Sequence, residues 1–401
     1  MTTSEPSSVE RSEGVAGDRR TSGPLAGLRV IELAGLGPGP FCAMVLADLG
    51  AEVIRLERTG IPASVVGAVD RRMVLTRGRH AIGVDLKRQR GVELVLDMVE
   101  HADVLLEGFR PGVVERIGLG PSVCLQRNPR LIYGRITGYG REGPLAAEAG
   151  HDINYISVAG ALAPIGRRGE APVPPLNLVA DFGGGGMLLA MGILAAVYER
   201  TRSGLGQVVD AAMVDGAALL TTMFHQIRGL SLWHDERGTN SMDTGSHYYN
   251  VYETSDGEFL SVGAMEPRFY RSFMKGLGFS EEDIPPQDDQ TQWESLTSRV
   301  AQILRSRTRV EWLETFLGTD ACVTPVLSLG EAPTHPHNRA RATFVDVGGT
   351  VEPAPAPRFS RTPPRHPSPP PGPGVHATQE LVRWGLAPDQ IDLLVEEGVV
   401  D

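Results

Sequence analysis

Between residues 29 and 136 short apolar runs keep returning, and turns or helical patterns separate them. The runs are Arg29–Leu33, Glu52–Glu57, Ala81–Leu86, Asp103–Glu107 and Leu131–Ile136. Between them lie helical patterns over Phe41–Leu49 and Gln89–His101. Gly35-Leu36-Gly37-Pro38-Gly39-Pro40 opens the first helix with prolines, and Gly50 stops it. Strands that alternate with helices restrict the fold to an α/β domain with a mainly parallel sheet, because parallel neighbours need a long crossover between them.

Further along, Met187–Arg200 reads as a helix, Gly206–Asp210 as a strand and Ala211–His225 as another helix. Residues 229–245 are polar and irregular. Tyr248–Glu253 and Phe259–Gly263 flank Ser255-Asp256-Gly257, a hairpin signal. Helical patterns over Arg268–Gly276, Trp293–Arg305 and Arg309–Phe316 complete a second, α+β unit. The expected organisation is a tail at 1–23, a large α/β domain at 24–229 and a small domain at 230–330. A return segment at 331–352 follows, then an extended, exposed proline-rich linker at 353–375 and a helical segment at 376–401.

A net charge of -11 argues against a nucleic-acid partner, but a few placed arginines and lysines can still make a phosphate pocket. Cys42, Cys124 and Cys322 lie far apart, which fits a reducing compartment, gives no metal or disulfide framework, and reads as buried structural thiol. Residues 1–23 lack the apolar stretch of a signal peptide and read as a disordered tail. The longest apolar run, Met187–Val197, is too short to span a bilayer and reads as a buried helix. A cytoplasmic protein with no membrane span is expected.

The chemistry concentrates in Gly150-His151-Asp152-Ile153-Asn154-Tyr155 and in Asn177-Leu178-Val179-Ala180-Asp181-Phe182 with its four following glycines. An imidazole and a carboxyl group titrate in different ranges, so His151 and Asp181 could take a proton from one face of a carbon and return it to the other. The blander readings are a helix-start histidine and an aspartate capping a helix that begins near Phe182. The glycines would let a substrate or a partner chain approach closely. Gly35-x-Gly37-x-x-Pro40 lacks the third glycine of a dinucleotide fingerprint, so nicotinamide binding is a weak reading. No His/Cys cluster has metal-ligand spacing.

The motifs Leu46-Ala47-Asp48-Leu49-Gly50-Ala51-Glu52-Val53, Glu107-Gly108-Phe109-Arg110-Pro111-Gly112 and Gly204-Leu205-Gly206-Gln207-Val208-Val209-Asp210 are specific in combination. With them the chain resembles the family III CoA transferases (CaiB/BaiF type) from Pro24 to about Arg361, and within them the racemase branch acting on 2-methylacyl-CoA thioesters. The resemblance implies a Rossmann-like large domain, a smaller α+β domain and an interlocked homodimer. It also implies catalysis by His151 and Asp181, with Asn177 orienting a ligand or Asp181, and no cofactor beyond the CoA of the substrate. Asp152, the nucleophile's position in the transferases, is implied to pair with Glu266 of the small domain. CoA contacts are implied at Arg58, at Val84, Asp85, Leu86 and Lys87, at Arg116, and at Gly150 through Asn154 to Tyr155. Arg110 is a further cationic candidate. Met187, Met213, Met242 and Met265 suit either core packing or an acyl surface.

Three functions compete. One is racemisation through an enolate, whose oxyanion is held by backbone N–H groups at the helix start near Asp152. The second is CoA transfer through an Asp152 acyl anhydride. The third is acyl-CoA binding without catalysis.

Overall fold

The computed structural model describes residues 22–60, 73–369 and 377–401. The expected tail therefore lies, except for its last two residues, outside the described residues. In order, the first half forms β1 (Arg29–Leu33), α1 (Pro38–Asp48), β2 (Glu52–Glu57), β3 (His80–Gly83), α2 (Gln89–Glu100), β4 (Val104–Glu107), α3 (Val113–Ile117), α4 (Pro121–Arg127), β5 (Ile132–Thr137) and α5 (Asp152–Val158). A π-helical segment, Leu178–Met187, runs straight into α6 (Leu188–Ser203), and β6 (Val208–Ala212), α7 (Met213–Leu220) and α8 (Thr222–Gly229) follow.

The inner strands are mainly apolar because the sheet is covered on both sides. Val30, Val53, Val104 and Ile132 face a core built with α1 and α6, while Ile31, Ile54, Leu105 and Tyr133 face one built with α2 and the C-terminal segment. The sheet is parallel in the order β3-β2-β1-β4-β5-β6. The order reverses between β1 and β4, and in open α/β sheets ligands bind in the crevice beyond the carboxyl ends of the strands at such a point.

The small unit has its own core around Phe273, Trp293, Trp312 and Phe316. It comprises β7 (Tyr249–Glu253), β8 (Phe259–Gly263), α9 (Pro267–Gly276), α10 (Trp293–Leu304), α11 (Arg309–Phe316) and β9 (Val323–Pro325), whose three strands pair antiparallel. After α12 (Pro336–Ala340), the hairpin β10 (Phe344–Val347) and β11 (Thr350–Pro353) returns to the large unit. There the buried Arg77 binds both Asp48 of α1 and Glu352 of β11, at 2.6 and 2.9 Å.

Four local expectations need correction. The helix foreseen over Ala211–His225 begins two residues later and breaks at Thr221, because Ala211 and Ala212 extend β6 along β5. The proline-rich stretch is not a free linker where it is described. Arg365 donates its backbone N–H to Asp48, Ser368 accepts from Gly78, and Pro367 is buried, while residues 370–375 lie outside the described residues. Cys322 is exposed, unlike Cys42 and Cys124. The apolar helix α6 buries only one face, with Leu189 and Ile193 inward and Met191 and Tyr198 exposed. Leu178–Ser203 is long and apolar enough by composition to cross a membrane, yet it packs as a layer of the α/β unit.

The C-terminal segment forms α13 (Ala377–Arg383) and α14 (Pro388–Glu396), and it covers the sheet face with Leu381, Trp384, Ile391 and Leu394. Its last residues pair with the end of β3, Asp85 N–H donating to Val399 and Gly83 N–H to Asp401.

Candidate active site

His151 stands in extended conformation at the N-terminus of α5 (φ −129°), and its side chain is exposed. The Asn154 carboxamide closes this helix end by accepting the His151 backbone N–H at 3.0 Å. The first-turn N–H groups of Asp152 and Ile153 have no intrahelical acceptor.

Asp152 turns the other way. It is buried, and its Oδ2 accepts the backbone N–H groups of Ala180 (2.6 Å) and Asp181 (2.8 Å). A carboxylate from one helix thus satisfies orphan donors in the first turn of the π segment. π-helical turns are rare and concentrate at functional sites.

Asp181 lies inside that segment rather than capping it, so the capping reading fails. Asn177 occupies the position before the segment, and its Nδ2 donates to Asp181 Oδ2 at 3.1 Å. Across from this carboxylate is Gly37, in the turn between β1 and α1, where a Cβ would sit 3.7 Å from Asp181 Oδ2. The same turn, through Gly35, Leu36, Gly39 and Pro40, lines a small crevice at the β1/β4 reversal with Glu32, Glu107 and Gly108, so Asp181 stands beside the turn that borders the crevice.

Burial pushes the Asp181 carboxyl above its ordinary range, and the Asp152 charge pushes the same way. The Asn177 amide and His151 oppose the shift. His151 and Asp181 thus lie within electrostatic reach of each other while standing on different elements. Tyr155 is pushed up to about 12 by burial and then by Asp181, with Arg110 opposing, which sets Arg110 near the same cleft. The Tyr155 hydroxyl donates to the Gly150 carbonyl, and its ring meets Tyr139 edge-on at 4.9 Å. Gly138 is required here, since a Cβ would lie 2.3 Å from the Tyr155 ring.

The four glycines serve packing within the chain, not approach by a ligand. A Cβ on Gly184 would meet Gly216 and Ala217 of α7 at 2.7 Å, and one on Gly186 would meet Phe41 and Pro38 of α1 at 2.8 Å. Within one chain the implied Asp152–Glu266 pair is not made. Glu266 stands at the N-terminus of α9 in the small unit without a capping side-chain bond, is exposed, and makes no hydrogen bond or ion pair with Asp152 among the described residues.

Of the cationic candidates, Arg58 follows β2, Lys87 follows β3, and Arg110 and Arg116 follow β4, all exposed at the carboxyl edge of the sheet. Val84 is buried against Val400, so Asp85, Leu86 and Lys87 alone of that segment offer accessible surface. A largely apolar cavity of about 610 Å³ begins beside Val179, two residues before Asp181, and is lined by Ile165, Leu220, Phe224, Trp233 and Met242 among others. Met213 is core, Met187 is exposed and Met265 packs in the small unit, so the four methionines do not form one surface. No group of three His, Cys, Asp or Glu side chains suited to a metal occurs among the described residues.

The sequence reading missed the ionic lattice beneath the crevice. Glu32 of β1 binds Arg55 of β2 at 2.5 Å and also the buried Arg79, while Arg55 donates to the Gly35 carbonyl at 3.3 Å. A charged residue inside each of two apolar runs, at paired register, was the available signal.

The model of CoA-transferase family III matches residues 25–377. The chain is 47% identical over 383 residues to an alpha-methylacyl-CoA racemase of Mus musculus, covering 94% of this chain and 97% of that one. It is 44% identical over 380 residues to the Homo sapiens protein of the same name, with the same coverages. Among solved structures, a CAIB/BAIF family protein from Brucella suis shares the fold at a TM-score of 0.77 and 24% identity, covering 90% of this chain and 100% of that one. Rv3272 from M. tuberculosis superposes at a TM-score of 0.73 and 26% identity, covering 89% and 98%. With these matches over nearly its whole length, the chain belongs to CoA-transferase family III.

Proposed function

We propose that the protein is a racemase interconverting the (R) and (S) forms of 2-methylacyl-CoA thioesters. The reading is supported by His151 at the start of α5 acting electrostatically on Asp181 of the π segment, which stands across from Gly37 of the β1–α1 turn. Relatives at 44–47% identity carry that activity in their names.

His151 removes the α-proton from one face. The C–H electrons form the carbon–carbon double bond of an enolate and leave the negative charge on the thioester oxygen. Asp181 then delivers its proton to the opposite face, and in the reverse direction the two exchange roles. A carboxyl held above its ordinary range by burial is suited to donating as well as accepting. The first-turn N–H groups of Asp152 and Ile153 are assigned to the enolate oxygen, where one preorganised donor contributes roughly 3–4 kcal/mol.

Arg58, Lys87, Arg110 and Arg116 are assigned to the phosphates of CoA, and the cavity beside Val179 to the acyl tail. No cofactor is needed for the proton transfers. An interlocked homodimer is part of this reading, supported by the exposed Met191, Tyr198, Leu219, Leu230 and Leu232 in and after α6 to α8. Two buried thiols support a cytoplasmic location.

The transferase alternative requires Asp152 to attack a thioester, and its burial with one oxygen held by two N–H groups weighs against that. The test is incubation of an (S)-2-methylacyl-CoA in deuterated water. Deuterium entering the α-position with loss of enantiomeric purity is expected, and His151→Ala should suppress exchange from one enantiomer far more than from the other. Absence of α-deuterium in the unmodified protein would reject the reading.

A further inference from the structure

Asp152 is 2% exposed, yet only one of its two oxygens is used. Oδ2 takes the N–H groups of Ala180 and Asp181, while Oδ1 is sealed from solvent with no partner. A buried carboxylate with an idle oxygen is costly, and a neutral side chain with one acceptor would make the same two bonds. What the neutral side chain would lack is the charge.

The groups that face Asp181 are few. α5 contributes His151, Asp152 and Tyr155, the start of the π segment contributes Asn177, and the β1–α1 turn contributes only Gly37. Arg110 lies beyond Tyr155. Asp152 is the one carboxylate acting on Asp181 among the described residues.

We propose that Asp152 is a positioning residue, whose one oxygen clamps the first turn of the π segment through the Ala180 and Asp181 N–H groups and whose carboxylate, held against the Asp181 backbone, acts on the Asp181 side chain. This rests on the racemase reading and gives the buried aspartate a task other than nucleophilic attack. Its two effects are separable. The clamp needs an oxygen acceptor, whereas the charge needs a carboxylate.

In Asp152→Asn the carboxamide oxygen retains both backbone donors and the charge is gone. Asp181 then ionises more readily, so the acid limb of kcat/KM for α-deuterium exchange moves to lower pH. For the enantiomer whose α-proton Asp181 removes, a half-unit displacement raises the rate about threefold at a fixed pH on that limb. Asp152→Ala frees both N–H groups and lowers the melting temperature. It also lowers exchange by roughly 100-fold as Asp181 shifts. An acid limb unmoved in a folded Asp152→Asn would overturn the proposal, since a purely structural aspartate alters melting or amplitude but not the limb.

A measurement on the unmodified protein covers the case in which the variants fail to fold. After incubation with 2-methylacyl-CoA and hydroxylamine, peptide mass spectrometry should find Asp152 unmodified, and an Asp152 hydroxamate would refute the proposal. If the unmodified protein shows no exchange at any pH, it is the racemase reading that fails. Exchange in the unmodified protein with an unmoved limb in Asp152→Asn counts against Asp152 alone.

Discussion

α7 and the π segment meet where two glycines face each other, and this makes Gly216→Ala a severe perturbation. A Cβ at Gly216 would sit 1.8 Å from the Gly184 carbonyl oxygen and 2.4 Å from its carbon. Ordinary contact starts near 3.4 Å, so α7 and the π segment must part by about 1.6 Å. Both atoms at the clash belong to backbone, so no side chain can swing aside. Overpacking of this kind costs roughly 1–3 kcal/mol in stability. The larger consequence is positional, because Asp181 stands three residues before Gly184 on the segment that must move. A displacement near 1 Å can cost about 100-fold in rate. Gly216→Ala should therefore fold with a lowered melting temperature and lose about two orders of magnitude in α-deuterium exchange. Gly229→Ala, with nothing within 4 Å of the added carbon, serves as the control and should keep both properties. Exchange within threefold of the unmodified protein in Gly216→Ala would refute the claim that glycine packing sets the position of Asp181.

Two further outcomes follow from the electrostatics. Asn177→Ala removes a donor that favours the ionised form of Asp181, so the carboxyl rises further and the acid limb of kcat/KM moves to higher pH, opposite to Asp152→Asn. Arg77→Met leaves Asp48 and Glu352 buried without their shared cation, at a cost of about 3–5 kcal/mol at neutral pH by urea unfolding. Burial already raises Asp48, and losing the arginine raises it further. A folded pKa above the unfolded one penalises the native state at high pH and relieves it as pH falls, so the deficit should shrink in mildly acidic buffer. A deficit independent of pH would exclude uncompensated carboxylates as its cause.

The strand–helix rhythm was readable because a doubly covered parallel sheet imposes a local pattern on every strand. Arg29–Leu33, Glu52–Glu57 and the hairpin strands near 250 and 260 are where the pattern places them. His151 at a helix start was likewise visible from its glycine and the polar residues after it. Local signals failed where neighbours distant in sequence competed. Ala211 and Ala212 have good helix propensity, yet pairing with β5 draws them into the sheet. The proline-rich segment carries an open-chain composition, yet Asp48 and Gly78 hold its backbone down.

Residue type and spacing by themselves determined the α/β class, most of the strands, and the concentration of His151, Asp152 and Asp181 within residues 151–181. Tertiary structure alone decided that Asp152 reaches across to the backbone of Ala180 and Asp181, that four glycines seat α7 and α1 against a π-helical segment, and that Glu266 is exposed at the start of α9. Periodicity is written into each segment by the solvent it avoids. A hydrogen bond spanning 28 residues, or a helix contact that admits no Cβ, exists only once separate segments have been packed together.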